Sequence, residues 1–320
     1  RSTMINLVRG FQVLVCLAHT ITGIVMCSIY ASRSSGTGTA PVFWNVYGND
    51  EVSRNIPFGY LIFAAMVFKG VAGLFDLFKL YSVEKSNRGC RKIFRYIVMA
   101  ITEPLLIITL YMCLATFELP ELILHGALSC CIVLSFFFTL ELAKYLPASA
   151  DDTLTSKQVS ALLDDYDNNP DTVPKDKKKA VDLMLLTASY LLMFMGFFVL
   201  LFSAINAGFA IYRYELIEDS PTTGAPVNTH LKAAVYIYSS ILLWLALYMN
   251  LYIYSKLSGI LNGCLLKLCC LCNYTFHCFN FFDNGNLEEC LFTIIIDLVK
   301  WMVVPMLLYF GFIRDTIFVI

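Results

Sequence analysis

The sequence predicts an all-α membrane protein, a seven-transmembrane-helix bundle with a β-hairpin in its first extracellular loop. Three observations predict it. Of the 320 residues, 58% are hydrophobic and only 15% charged, against about 45–50% and about 25% in soluble domains. Seven apolar runs near the roughly 20-residue length that spans a bilayer cover about 5–30, 57–81, 94–117, 121–146, 181–209, 232–256 and 290–313. The third observation is the distribution of lysine and arginine between those runs. Together they make 1–320 a single membrane domain surrounded by lipid. A net charge of −1 argues against a nucleic-acid partner.

Short loops rich in Lys and Arg stay cytoplasmic. The second-to-third loop carries Lys79, Lys85, Arg88, Arg91, Lys92 and Arg95, and the polar loop 148–179 carries Lys157, Lys175, Lys177, Lys178 and Lys179. Lys256 and Lys267 follow the sixth run. The alternate loops hold Arg33 and Arg54, then Glu118 and Glu121, then Arg213 offset by Glu215, Glu218 and Asp219. The N-terminus is therefore expected in the cytoplasm and the C-terminus outside, opposite to G-protein-coupled receptors and to ordinary microbial rhodopsins.

The first run has no clear small-residue cleavage site and is expected to remain as a span. It buries His19 among apolar neighbours, either as a hydrogen-bonded interior histidine or as a proton acceptor. Loop 31–56 is long for a connection in a compact bundle. Its stretch 41–47 reads as a strand and Gly48-Asn49-Asp50 as a hairpin turn. An exposed aromatic strand invites an edge partner, so it is a candidate dimer surface. A lid over the bundle is the other reading.

The second run contains Lys69 near its middle and Asp76 about 10 Å nearer the cytoplasm at about 1.5 Å per residue. The third contains Glu103, followed by Pro104, which can kink a helix. In loop 148–179 a short helix is expected near 156–164. Its segment Asp165-Tyr166-Asp167-Asn168-Asn169-Pro170-Asp171 has proline where a calcium loop needs its turn glycine, so no metal is expected there. The fifth and sixth runs are rich in Phe, Tyr, Met and Trp, including Tyr190, Met193, Phe194, Phe197, Tyr236, Tyr238 and Trp244. Such residues could line a slot for a polyene or serve as ordinary core. Cys269, Cys270 and Cys272, with His277 and Cys278 beyond, have irregular spacing, which favours palmitoylation over zinc.

The last run holds Lys300 with Asp297 one helical turn before it. A mid-bilayer lysine costs from about 3 to well over 10 kcal/mol unless it has a partner, a wet cavity or a modification. Burial also frees its amine for Schiff-base chemistry with an aldehyde. Glu103 enters the membrane about as far as Lys300 does, so the two can meet as a buried pair.

Seven spans with a lysine in the middle of the last resemble the retinal-binding rhodopsins. Arg95-Tyr96, then Thr102, then Pro104-Leu105-Leu106 is similar to the third-span pattern of microbial rhodopsins. The inverted orientation, the hairpin-bearing first loop, Ile93-Phe94-Arg95, His19 and 140–145 are similar to heliorhodopsins in particular. The resemblance implies all-trans retinal on Lys300, light-driven isomerisation, homodimerisation and, for most members, no ion pumping. The family's counterion position falls on Val98, and Glu103 is its replacement. Thr102, Asp297, His19 and Trp244 become further retinal-site candidates.

Three functions are compatible with these residues, none of them enzymatic. The first is a light-activated retinal protein, in its sharper form with light-gated proton conduction through Glu103, Asp297 and Asp76. The second is a non-conducting photosensor with a cytoplasmic signalling partner. The third is a non-photoactive scaffold or transporter in which Lys69–Glu103 and Lys300–Asp297 are structural pairs.

Overall fold

Long apolar runs satisfy their backbone only by coiling, because no water reaches the bilayer core to take up free N–H and C=O groups. A computed structural model describes residues 2–33, 40–46, 49–56, 58–79, 88–114, 118–143, 175–218, 229–260 and 295–313. Its helices are α1 (Ser2–Arg33), α2 (Phe58–Lys79), α3 (Arg88–Cys113), α4 (Leu119–Ala143), α5 (Lys175–Glu218) and α6 (Thr229–Ile260). A last helical stretch, 295–313, contains two π turns, Val299–Val303 and Tyr309–Ile313, around α7 (Val304–Leu308). Five segments are long and apolar enough to cross a membrane: Gly10–Ser32, Tyr96–Cys113, Leu119–Thr139, Thr187–Ile217 and Thr229–Leu251. The chain is a helical membrane protein. The apolar part of α2, Gly59–Phe75, is shorter.

Helix ends differ from the expected boundaries in ways the local chemistry explains. The third helix stops at Cys113, where Leu114 N–H bonds back to both Leu110 O and Tyr111 O. Residues 115–117, expected in the same span, lie outside the described residues. Helix α5 begins at Lys175, inside what reads as loop, and runs for 44 residues. At about 1.5 Å per residue it extends well past a roughly 30 Å hydrocarbon core. Strands β1 (Ala40–Val46) and β2 (Asn49–Ile56) pair antiparallel, from Ala40 opposite Ile56 to Val46 opposite Asn49. Asn49 and Asp50, expected in a turn, thus lie in β2. The expected helix near 156–164 and the cysteines Cys269, Cys270, Cys272 and Cys278 lie outside the described residues.

The chain forms two compact units, Arg1–Val133 with Phe202–Leu243 and Gly285–Ile320, and Leu134–Leu201 with Trp244–Asn284. In the first, α1 lies on α2 and α2 on α3, around Ile62, Phe63, Met66, Leu106, Ile107, Leu110 and Trp301, all fully buried. Glycine sets the α1–α2 distance. A Cβ on Gly70 would sit 2.7 Å from Cys16 O and 2.8 Å from Thr20 N, backbone atoms that cannot step aside. Small residues at such a contact let two membrane helices gain dispersion contact where lipid supplies no hydrophobic drive. In the second unit, Asn250 Nδ2 donates to Gly196 O (3.0 Å) and Ala246 O (2.9 Å), tying α6 to α5.

Gly70→Val is expected to lower stability by about 1–3 kcal/mol, as overpacking a filled contact does. Thermal unfolding in detergent, followed by circular dichroism, checks it. An unchanged midpoint would show that α1 and α2 are not held this close.

Candidate functional site

The last helical stretch is shaped by Pro305. Having no N–H, it leaves Trp301 O without its α-helical donor, and its ring crowds that carbonyl. The backbone widens upstream into the π turn Val299–Val303, with Val304 N–H bonded to Val299 O. Pro305 itself is the second residue of α7, directly after the π turn. Such single π turns gather at functional sites in helices. This one carries Lys300 and Trp301, both buried.

Lys300 Nζ forms an ion pair with Glu103 Oε2, their side chains only 7% and 4% exposed. Its Nζ is also 5.6 Å from the Tyr238 ring centroid on α6. A second pair lies close by. Lys69 Nζ donates to Asp297 Oδ1 at 2.7 Å, with side chains 10% and 29% exposed. Lys69 also sits 4.8 Å from the Trp301 ring centroid, a cation–π contact that strengthens as water is excluded. His19 is buried near the Lys69–Asp297 pair, and its Nε2 has no hydrogen-bond partner among the described residues.

Each buried ammonium thus meets a carboxylate on a different helix, and the cluster of four charges is neutral. The alternative pairing, Lys69–Glu103 with Lys300–Asp297, does not form. Asp297 and Lys300 are three apart in sequence, but the π turn begins between them and changes their relative direction. Breaking such a pair strands an uncompensated charge, whereas an apolar replacement of both partners is often neutral or stabilising.

Other expected site residues fall elsewhere. Thr102 is fully buried, but its hydroxyl donates to Val98 O of its own helix at 2.9 Å. Trp244 is 45% exposed and stacks on Tyr248; it belongs to the second unit. Of the aromatic stripe that could line a slot or serve as core, Tyr190, Met193, Phe194, Phe197 and Tyr236 are exposed instead. In a membrane protein such a face meets lipid, which is why its composition mimics a pocket. Tyr238 and Tyr248 are buried. Asp76 is in α2, but its side chain lies outside the described residues.

Sequence reasoning missed Trp301, although the Lys-Trp step beside a proline was visible. It also missed a polar cluster around His125. There His125 stacks on Tyr111 at 3.9 Å, and its Nδ1 is 2.7 Å from Asn206 Oδ1. The spacing Glu121, His125, Ser129 along α4, four residues at a step, was the available signal.

Comparison of the chain with protein-family models, with curated proteins and with solved structures finds no match in any of the three. The functional reading rests on the residues.

Without any added ligand, Glu103→Gln is expected to destabilise the protein by about 3–5 kcal/mol, and Asp297→Asn by less because its pair is more exposed. The double change Lys300→Met with Glu103→Leu recovers most of the loss. Thermal unfolding of the three variants measures this ordering. Equal effects of the two single changes would contradict it.

Proposed function

We propose that this chain is a light-activated retinal-binding protein of the heliorhodopsin type. In this reading all-trans retinal is carried as a Schiff base on Lys300, with Glu103 as counterion. The observation that carries it is the buried Lys300 amine facing a buried carboxylate from another helix, beside aromatic rings. A primary amine in that setting has the chemistry an aldehyde needs, and the carboxylate keeps the resulting cation protonated in a dry site. Tyr238 and Trp301 offer the flat apolar surfaces a polyene requires.

When bound, the retinal supplies light absorption and isomerisation. The chain's own residues do the rest. Glu103 holds the charge at Lys300 Nζ and is placed to accept a proton from that nitrogen. Lys69–Asp297 neutralises the neighbouring turn and keeps a second ammonium from competing for Glu103. His19 adds a buried ring whose Nε2 can exchange a proton. The sharper form is light-gated proton conduction, with Glu103, Asp297 and Asp76 as steps toward the cytoplasm.

The same reading takes α2 and 295–313 as spans, seven in all. It puts the N-terminus in the cytoplasm, the C-terminus outside, and the β1–β2 hairpin in the first extracellular loop, where it serves homodimerisation. A non-conducting photosensor with a cytoplasmic partner shares every element but the current. The closed pair Lys69–Asp297 favours one competing reading, a scaffold or transporter with structural ion pairs.

Expression with added all-trans retinal is expected to give a visible absorption band that disappears in Lys300→Ala and moves in Glu103→Gln. No band, or one that survives Lys300→Ala, overturns the proposal. An illuminated membrane patch then separates conduction, seen as a photocurrent driven by a pH gradient, from pure signalling.

A further inference from the structure

A second buried polar cluster in the first unit has no part in holding Lys300. It begins at Tyr238, whose ring centroid is 5.6 Å from Lys300 Nζ and whose buried hydroxyl has no hydrogen-bond partner among the described residues. On α3, Tyr111 is two turns beyond Glu103, about 12 Å at about 1.5 Å per residue. Its hydroxyl donates to Asn206 O at 3.0 Å. Its ring lies nearly parallel to His125, 3.9 Å away at 14°, and the Phe209 ring meets the imidazole edge-on with centroids 5.5 Å apart. At the far end Arg213 Nη2 donates to both carboxylate oxygens of Glu121, at 2.7 and 2.8 Å. That pair is only part-buried, with side chains 35% and 18% exposed.

The helix faces agree. Glu121, His125 and Ser129 repeat every four residues along α4, and Ser203, Asn206 and Arg213 follow one face of α5. Ser129, His125, Ser203 and Asn206 are all buried. Asn206 Nδ2 and Ser203 Oγ have no hydrogen-bond partner among the described residues. Two orphan polar groups on one face of a membrane helix call for a hydrogen-bonding partner, and a bound water is the smallest one that would satisfy both.

His125 is the titratable member. Its Nδ1 faces Asn206 Oδ1 at 2.7 Å; that oxygen can only accept, so Nδ1 carries the proton and Nε2 keeps a lone pair. The charged and titratable groups around it are Glu121 and Arg213, which act on it electrostatically, and Tyr111.

We propose that His125, held by Tyr111 and Asn206 around bound water, is a proton-relay site joining Glu103 to the surface at Glu121–Arg213. Glu103, once it has accepted the proton from the Lys300 nitrogen, passes it through bound water to His125 Nε2, which leaves a Glu103 carboxylate and an imidazolium. The proton then departs through the water and carboxylate at the Glu121 end, which restores the neutral ring. The step runs in either direction and needs no co-reactant beyond water. It supplies the half of the path that Asp297 and Asp76 do not, toward the opposite membrane face. The inference rests on the light-gated conduction reading.

Photocurrent in retinal-loaded membranes, compared between wild type, His125→Gln and Asn206→Leu, tests it. With the visible band intact as a sign of folding, His125→Gln is expected to cut the current about a hundredfold, the low end of what a positioned acid–base group contributes. Asn206→Leu reduces it as well. An unchanged current in His125→Gln overturns the relay alone, whereas a wild type with a band but no current removes the conduction reading and the relay with it. A retinal-free readout stands beside this. Nitrogen-15 NMR of labelled histidine in bilayers, assigned by subtracting the His125→Gln spectrum, is expected to show a neutral His125 ring protonated at Nδ1. A ring protonated only at Nε2 would overturn the arrangement.

Discussion

The structure around the last helical stretch depends on one constraint: two ammonium groups, Lys69 and Lys300, lie among apolar helices and must each be neutralised. Lys300 is 6% exposed, and Glu103 meets it from α3. Lys69 is satisfied by Asp297 and the Trp301 face. Each pair joins two different helices, so the electrostatics also act as packing instructions. Moving any one of these helices would strand a charge on another.

The apolar packing serves that arrangement. Close approach at Gly70 holds α1 against α2, and α2 presents Lys69 to Asp297 of 295–313. Pro305 opens the π turn that sets Lys300 and Trp301 inward together. Stabilisation at this centre is therefore shared between dispersion, which brings the helices close, and ion pairing, which fixes their relative register.

Much of this was legible in residues whose cost in a membrane is high. Lys69, Glu103, Asp297 and Lys300 stand out in any apolar run, and equal depth alone suggested Glu103 for Lys300. The partner of Lys69 was harder, because an i, i+3 spacing makes Asp297 look like the natural neighbour of Lys300. A π turn reverses that, and only the proline hints at it. Aromatic residues misled for a physical reason: lipid and a polyene pocket select the same side chains. Trp244 therefore read as site and lies exposed, while Trp301 was passed over and is fully buried. His125 escaped notice because a lone histidine gives no sign of the tyrosine and asparagine that distant helices bring to it.

The central claim is that the buried Lys300 amine, and not Lys69, carries an aldehyde. Incubation with all-trans retinal, reduction with cyanoborohydride and peptide mass spectrometry tests it directly. The account predicts a retinyl adduct on the peptide bearing Lys300 and an unmodified Lys69. An adduct on Lys69, or none on either lysine, would contradict it.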